Sequence, residues 1–209
     1  MEARMDHVEI ERTLATVDAA LRVTFPDDFD ARCMYASFGV RDLLRAAGQS
    51  AEILSGDFLC FSVSKDGRQS LMEGFGTPTA NVPSHFWVEA DGRRLDLGPS
   101  YLPRSSRLDA ASIPPLNWGL SAPLPLYLRY RAHHRWHADA ELPSDDPLIE
   151  NLSRFRSILA QVATTRPTPH WSWHLHGPGA VTRAARCGDL WAKGALRFLK
   201  VADRQELPF

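Results

Sequence analysis

The dipeptide Asp91-Gly92 is the feature that most constrains how this chain can fold. It separates two runs in which side chains of different polarity alternate, HFWVEA at 85–90 and RRLDLG at 93–98. Both central positions of a type I′ turn need a positive φ, and Asp-Gly is a favoured pair for such a turn. The sequence therefore predicts an antiparallel hairpin with a two-residue loop.

The register of this hairpin follows from the loop length. A two-residue loop pairs Ala90 with Arg93 and, by continuation, places His85 opposite Gly98. Because successive side chains point to opposite faces, His85 and Asp96 lie diagonally on one face, within reach of each other. One predicted face carries Phe86, Val88, Leu95 and Leu97, and the other carries His85, Trp87, Glu89, Arg94 and Asp96.

A third reactive side chain, Cys33, opens a segment with helical spacing of its apolar residues. Asp30 is the predicted N-cap and Gly48 the predicted stop, which places Cys33 in the first turn. The partial positive charge of a helix N-terminus favours the thiolate, and a neighbouring imidazolium favours it further. Thiol acyl chemistry needs such a nucleophile, so Cys33, His85 and Asp96 are predicted as nucleophile, base and orienting acid.

Each of the three residues also has a plain structural interpretation. Cys33 could be a small buried hydrophobe, His85 a satisfied strand histidine and Asp96 an acid close to a turn. Strand parity and helix position agree with each other, however, and neither was needed to find the residues. Their agreement favours the catalytic interpretation.

A cysteine at a helix start followed by HFWVEADG and LDLGPSYL resembles the transglutaminase-like branch of the papain-like cysteine enzyme superfamily. The resemblance spans residues 30–103. It implies an α+β fold with N-terminal helices packed on an antiparallel sheet and additional C-terminal helices, and it assigns the triad to Cys33, His85 and Asp96. The layout also resembles arylamine N-acetyltransferases and the leader-peptide-cleaving proteins of lasso-peptide biosynthesis.

The predicted activity is acyl transfer, or amide or ester hydrolysis, through a thioester on Cys33, with a peptide or small-molecule acyl substrate. No cofactor or metal is required. Predicted substrate contacts are Trp87, Tyr35, Trp171 and Trp173, since aromatic rings supply binding area at low entropic cost. Two alternatives stay open: a catalytically silent binding module of the same fold, and an N-acyltransferase that uses acyl-coenzyme A.

Composition narrows the class of partner. The 209 residues suit one domain, 1–209, in which residues 104–209 form a C-terminal extension on the same core. Lys and Arg total 24 against 25 Asp and Glu, so no net positive charge recruits nucleic acid or an anionic membrane. With no membrane-spanning run and no signal-like segment, we expect a cytoplasmic protein; the oligomeric state is not indicated. Three cysteines are too few for a disulfide framework.

Periodicity and turn residues predict the remaining elements. The predictions are a helix at 8–23, a strand at 51–64, a loop at 65–84 that either walls the site or is a plain connection, irregular chain at 99–125, a strand at 124–131, a helix starting at Pro147 with Asp146 as cap, and a last helix over much of 181–199.

Two histidine-rich segments, 133–137 and 170–176, have spacings that a metal could use if they were helical. Neither contains an HExxH arrangement, and Pro and Gly bracket the second. We therefore predict aromatic packing there rather than a metal site.

Overall fold

The computed structural model of the protein describes residues 7–75, 85–203, 207 and 209, and its architecture is α+β. The helices are α1 His7–Thr24, α2 Cys33–Ala46, α3 Gly98–Ser105, α4 Ile149–Thr165, α5 Pro178–Arg186 and α6 Leu190–Phe198. The strands are β1 Ala51–Val63, β2 Ser70–Phe75, β3 His85–Ala90, β4 Arg93–Asp96, β5 Leu116–Gly119 and β6 Leu128–Trp136. Among these described helices, none is long and apolar enough to cross a membrane.

Strand β1 organises a curled antiparallel sheet. The first half of β1 pairs with β3, and its second half pairs with β2. Strand β6 pairs with the same stretch of β1, residues 53–60, and therefore occupies its opposite edge. Strands β4 and β5 continue the sheet beyond β3. Strands β2 and β3 thus lie end to end along one edge, and β3 begins beside Gly56, at the middle of β1.

Within the described residues, two hydrophobic clusters form the core. The first unites α1, α2 and α4 with the sheet residues Ile53, Val88 and Leu95. The second contains Phe58 and Trp118 of the sheet together with residues of α5 and α6. Helices α5 and α6 lie within the predicted extension at 104–209, and α4 of the same extension belongs to the first cluster.

The local predictions around the hairpin are confirmed. Asp91 and Gly92 have φ angles of 47° and 67°, as a type I′ turn requires. The observed pairs include Ala90 with Arg93 and Val88 with Leu95. Helix α1 spans the predicted 8–23 with its apolar face buried, and β1 spans the predicted strand.

Several predicted boundaries were wrong. Residues 70–75 of the predicted loop form β2, because the second half of β1 offers them a pairing edge; residues 76–84 lie outside the described residues. The predicted irregular stretch contains α3 and β5. Pro99 stands at the start of α3, where its missing N–H costs nothing, and buried Tyr101 and Leu102 anchor that short helix.

Helix ends in the C-terminal half also differ from the prediction. The single helix predicted at 181–199 is two helices, because Gly188 adopts a φ of +99° and Asp189 caps α6 through the N–H of Ala192. Helix α4 begins at Ile149 rather than at Pro147. The strand predicted at 124–131 is shifted to 128–136, which places the first histidine-rich segment largely in β6.

Candidate active site

Cys33 is the first residue of α2 and is half-buried. The predicted cap Asp30 is wrong: it lies in a 3-10 turn, Phe29–Ala31, and binds Arg104 at 3.1 Å, so that Arg32 precedes the helix instead. The first backbone hydrogen bond at this end of the helix runs from the Ala36 N–H to the Arg32 carbonyl. Cys33 nevertheless lies in the first turn, where the helix dipole acts on its side chain.

His85 and Asp96 form a buried hydrogen-bonded pair. The Nε2–H of His85 donates to Oδ2 of Asp96 at 2.7 Å, and the two side chains are 0% and 3% exposed. The second oxygen of the carboxylate, Oδ1, accepts the backbone N–H of Gly98 at 2.7 Å. The hydrogen bond expected from the hairpin register is therefore present, and it uses Nε2.

Cys33 is one of the groups that determine the pKa of His85. Burial alone disfavours a charged imidazole, but the charge of Asp96, its hydrogen bond and then the contact with Cys33 outweigh this effect and raise the pKa of His85 to about 10. Asp96 occupies Nε2, so Nδ1 is the ring nitrogen left for the thiol. Nδ1 is buried and has no hydrogen bond of regular geometry among the described residues. Asp96 and Cys33 therefore both act on the imidazole of His85, and the catalytic role of the three residues stays a prediction.

Gly98 lies directly against the imidazole of His85 and limits where the ring can sit. A Cβ at this residue would lie 2.4 Å from Cε1 and 2.7 Å from Nε2 of His85, far inside van der Waals contact. Only a residue without a side chain fits there. The hairpin count had already placed Gly98 opposite His85, so the sequence contained this signal.

Aromatic rings enclose the rest of His85. Its ring lies 4.9 Å from Phe58, 5.5 Å from Phe75 and 6.2 Å from Trp87, measured between centroids. These rings exclude water from the His85 and Asp96 pair, which strengthens the interaction between their charges.

Tyr130 is the site residue that sequence reasoning missed. Its hydroxyl donates to Oδ2 of Asp96 at 2.6 Å, although β6 and β4 are not neighbours in the sheet. The curl of the sheet brings the two side chains together. The only sequence signal for Tyr130 was its place in an alternating run, which predicts a strand but not the partner of its hydroxyl.

The four aromatic residues predicted to contact substrate do not form one group in the structure. Trp87 is 1% exposed and packs on the His85 and Tyr130 rings. Tyr35 is buried against Phe25, with centroids 4.9 Å apart. Trp171 and Trp173 are hydrogen-bonded to His174 and Asp189, respectively. Of the four, only Trp87 is in ring contact with His85 in the described structure.

The histidine-rich segments are paired with protein groups. His133 binds Asp57 at 2.9 Å, and His174 contacts Glu11 at 3.0 Å. The two hydrogen bonds that Asp57 accepts, from Arg131 and His133, outweigh burial and lower its pKa. Over the described ranges, no group of three or more His, Cys, Asp or Glu side chains is arranged to hold a metal ion.

A cleft of about 500 Å³ reaches the site at Tyr130. Tyr130 and Arg94 are in its wall, together with Phe209, whose ring lies 4.6 Å from the Arg131 guanidinium carbon. Cys33 is not in the wall of this cleft. The cleft is therefore connected to the site through Tyr130, whose hydroxyl is bonded to Asp96.

Comparison with known proteins bears on the fold alone. No protein-family model matches the chain, and no curated protein does. A solved structure described as "The crystal structure of genomics APC5867" is similar over 82% of this chain and 85% of that one, with a TM-score of 0.51 and 17% sequence identity. The likeness supports the α+β architecture and says nothing of activity.

Proposed function

We propose that this protein is a cysteine-dependent acyltransferase or hydrolase of the papain-like, transglutaminase-like type. The observation that carries the proposal is the arrangement around His85. One ring nitrogen is hydrogen-bonded to Asp96, and the other is buried with no hydrogen-bond partner among the described residues. The Cys33 thiol acts on the same ring and contributes to the raised pKa of His85. That is the arrangement a nucleophile, a base and an orienting acid need.

The proposed reaction has two steps. The Cys33 sulfur forms a bond to the carbonyl carbon of an amide or ester, while its proton, held on His85 as imidazolium, passes to the leaving amine or alkoxide. The thioester is then attacked by water or by an acceptor amine, which gives its proton to His85 as the sulfur leaves. Asp96 holds the tautomer that keeps Nδ1 towards the sulfur.

The start of α2 supplies donors for the oxyanion. The first N–H groups of a helix have no intrahelical partner, and Cys33 is the first residue of α2. We assign its backbone N–H to the developing negative charge, because that group is attached to the nucleophile and belongs to a helix terminus of positive potential.

Selective alkylation tests the proposal, and the chain supplies its own control. Cys187 is exposed and serves as an ordinary thiol, whereas Cys33 is half-buried and Cys60 is buried. Brief treatment with iodoacetamide at pH 7, followed by peptide mass spectrometry, should label Cys33 faster than Cys187 despite its lower exposure. His85→Ala should remove this advantage. Slower labelling of Cys33 than of Cys187 in the intact protein would favour the binding-module interpretation.

An acyl adduct distinguishes the remaining possibilities. Incubation with p-nitrophenyl acetate should leave an acetyl group on Cys33 that hydroxylamine releases, and Cys33→Ala should leave none. If the adduct forms only from acetyl-coenzyme A, the protein is an acyl-coenzyme A-dependent transferase rather than a hydrolase of amides or esters.

A further inference from the structure

Tyr130 and His85 share one oxygen atom of Asp96. The Tyr130 hydroxyl donates to Oδ2 at 2.6 Å, and Nε2–H of His85 donates to the same atom at 2.7 Å. The backbone N–H of Gly98 donates to the other oxygen, Oδ1. Three donors therefore hold the carboxylate, one of them from β6, a strand that the hairpin and α2 do not include.

We propose that Tyr130 is a fourth, positioning residue of this site: its hydroxyl fixes the Asp96 carboxylate and weakens the pull of Oδ2 on the His85 proton. The inference rests on the proposed function and adds to it a residue that adjusts the pKa of its base, His85. Two donors on one oxygen share its negative charge, so neither bond is as strong as it would be alone. A tyrosine hydroxyl that is largely enclosed by protein needs an acceptor of some kind. Tyr130 is coupled to His85 because its hydroxyl donates to Oδ2, the same oxygen of Asp96 that His85 uses.

The surroundings favour the protonated form of Tyr130, in which its hydroxyl is a donor. Burial and the nearby Asp96 charge hold its pKa well above 10, while Arg94 in β4 opposes this shift and Cys60 in β1 adds to it. The charged and titratable groups that act on His85 are Asp96 and Cys33. The Arg94 guanidinium lies 4.8 Å from the Tyr130 ring centroid and is held by Glu89.

The test compares two tyrosines that each donate to a carboxylate, the half-buried Tyr130 and the buried Tyr101. Tyr130→Phe removes the donor to Asp96, and Tyr101→Phe removes the matched bond from Tyr101 to Asp18, which is 2.9 Å long. The readout is the ¹³Cε1 NMR titration of His85 between pH 7 and 11.5, with the resonance assigned from His85→Gln. Tyr130→Phe should raise the His85 midpoint by roughly one pH unit, the size that a hydrogen bond to a charged group supports. Tyr101→Phe should leave it in place.

A second variant keeps the test decisive if Tyr130→Phe does not fold. Incorporation of 3-fluorotyrosine at position 130 makes the phenol a stronger donor, so the His85 midpoint should fall. An unmoved midpoint in the folded variants, with Cys33 still labelled rapidly, would refute the role of Tyr130 and leave the proposed function standing. Slow labelling of Cys33 in the unaltered protein would remove the proposed function and this inference with it.

Discussion

A methyl group at position 98 should disable the site while the fold survives. In Gly98→Ala the new Cβ would lie 2.4 Å from Cε1 of His85, whereas carbon atoms in contact are about 3.5–4.0 Å apart. The ring must therefore retreat by roughly 1.1–1.6 Å. Its hydrogen bond to Asp96 is 2.7 Å long, and such a shift carries it past the limit of about 3.2 Å.

The energetic cost follows from how little room His85 has. The imidazole is fully buried, stacked on Phe75 and in tilted contact with Phe58, so it cannot rotate away freely. Overpacking of this kind costs about 1–3 kcal/mol, offset by about 0.4–1 kcal/mol because alanine restricts the unfolded chain. We expect a net loss of about 1–2 kcal/mol in the free energy of unfolding, measured by urea denaturation.

The assay pairs that measurement with labelling of Cys33 by iodoacetamide at pH 7, which should slow about tenfold as the imidazole leaves the thiol. Gly179→Ala is the matched control. Gly179 also lies in the first turn of a helix, and its new Cβ would meet only the flexible end of Arg183, at 3.5 Å. If Cys33 in Gly98→Ala is labelled at the unaltered rate, and this variant is as stable as Gly179→Ala, then the inferred clash between a side chain at residue 98 and His85 is wrong.

Three further predictions concern charge and metals. Because the pKa of His85 is raised to about 10, the stability it contributes is complete below about pH 6.5 and is lost as the pH rises towards 10. Urea denaturation across this range should give a flatter pH slope for Asp96→Asn, and equal slopes would contradict the assignment. Asp96→Asn should also lower acyl-adduct formation on Cys33 by about 10³–10⁴-fold with the fold intact by circular dichroism, because the amide favours the wrong tautomer. Protein purified without a tag should hold no stoichiometric zinc by elemental analysis; about one metal per chain, lost when the three histidines at 170–176 are replaced, would refute the aromatic-packing interpretation.

Local signals predicted the part of the site that the chain builds from near neighbours. A two-residue turn fixes the register of β3 on β4, so counting from Asp91-Gly92 was enough to place His85 and Asp96 on one face. Helical spacing placed Cys33 in the first turn of α2 even though its cap was misidentified. These features depend on a few adjacent residues, and sequence patterns report them directly.

The parts that the sequence did not predict depend on distant partners. Strand β2 forms because β1 extends beyond the part that pairs with β3 and offers a further edge for pairing. The sequence of residues 70–75 contains no signal of how long β1 is. Proline content argued against helix at 99–125, but burial of Tyr101 and Leu102 outweighs it in α3. Tyr130 reaches Asp96 only through the curl of the whole sheet.

The pairing of β6 with β1 also determines when the site can be completed during synthesis. Residues 64–127 must be made after β1 before β6 begins, which takes on the order of 3–13 s at roughly 5–20 residues per second. By the end of that interval Cys33, His85 and Asp96 have all been synthesised, but one edge of β1 still has no strand beside it. An unpaired apolar edge is a template for association with other chains. The nascent protein therefore keeps an open sheet edge until β6 has been made, and pairing of β6 with β1 closes that edge and brings Tyr130 to Asp96 in the same event.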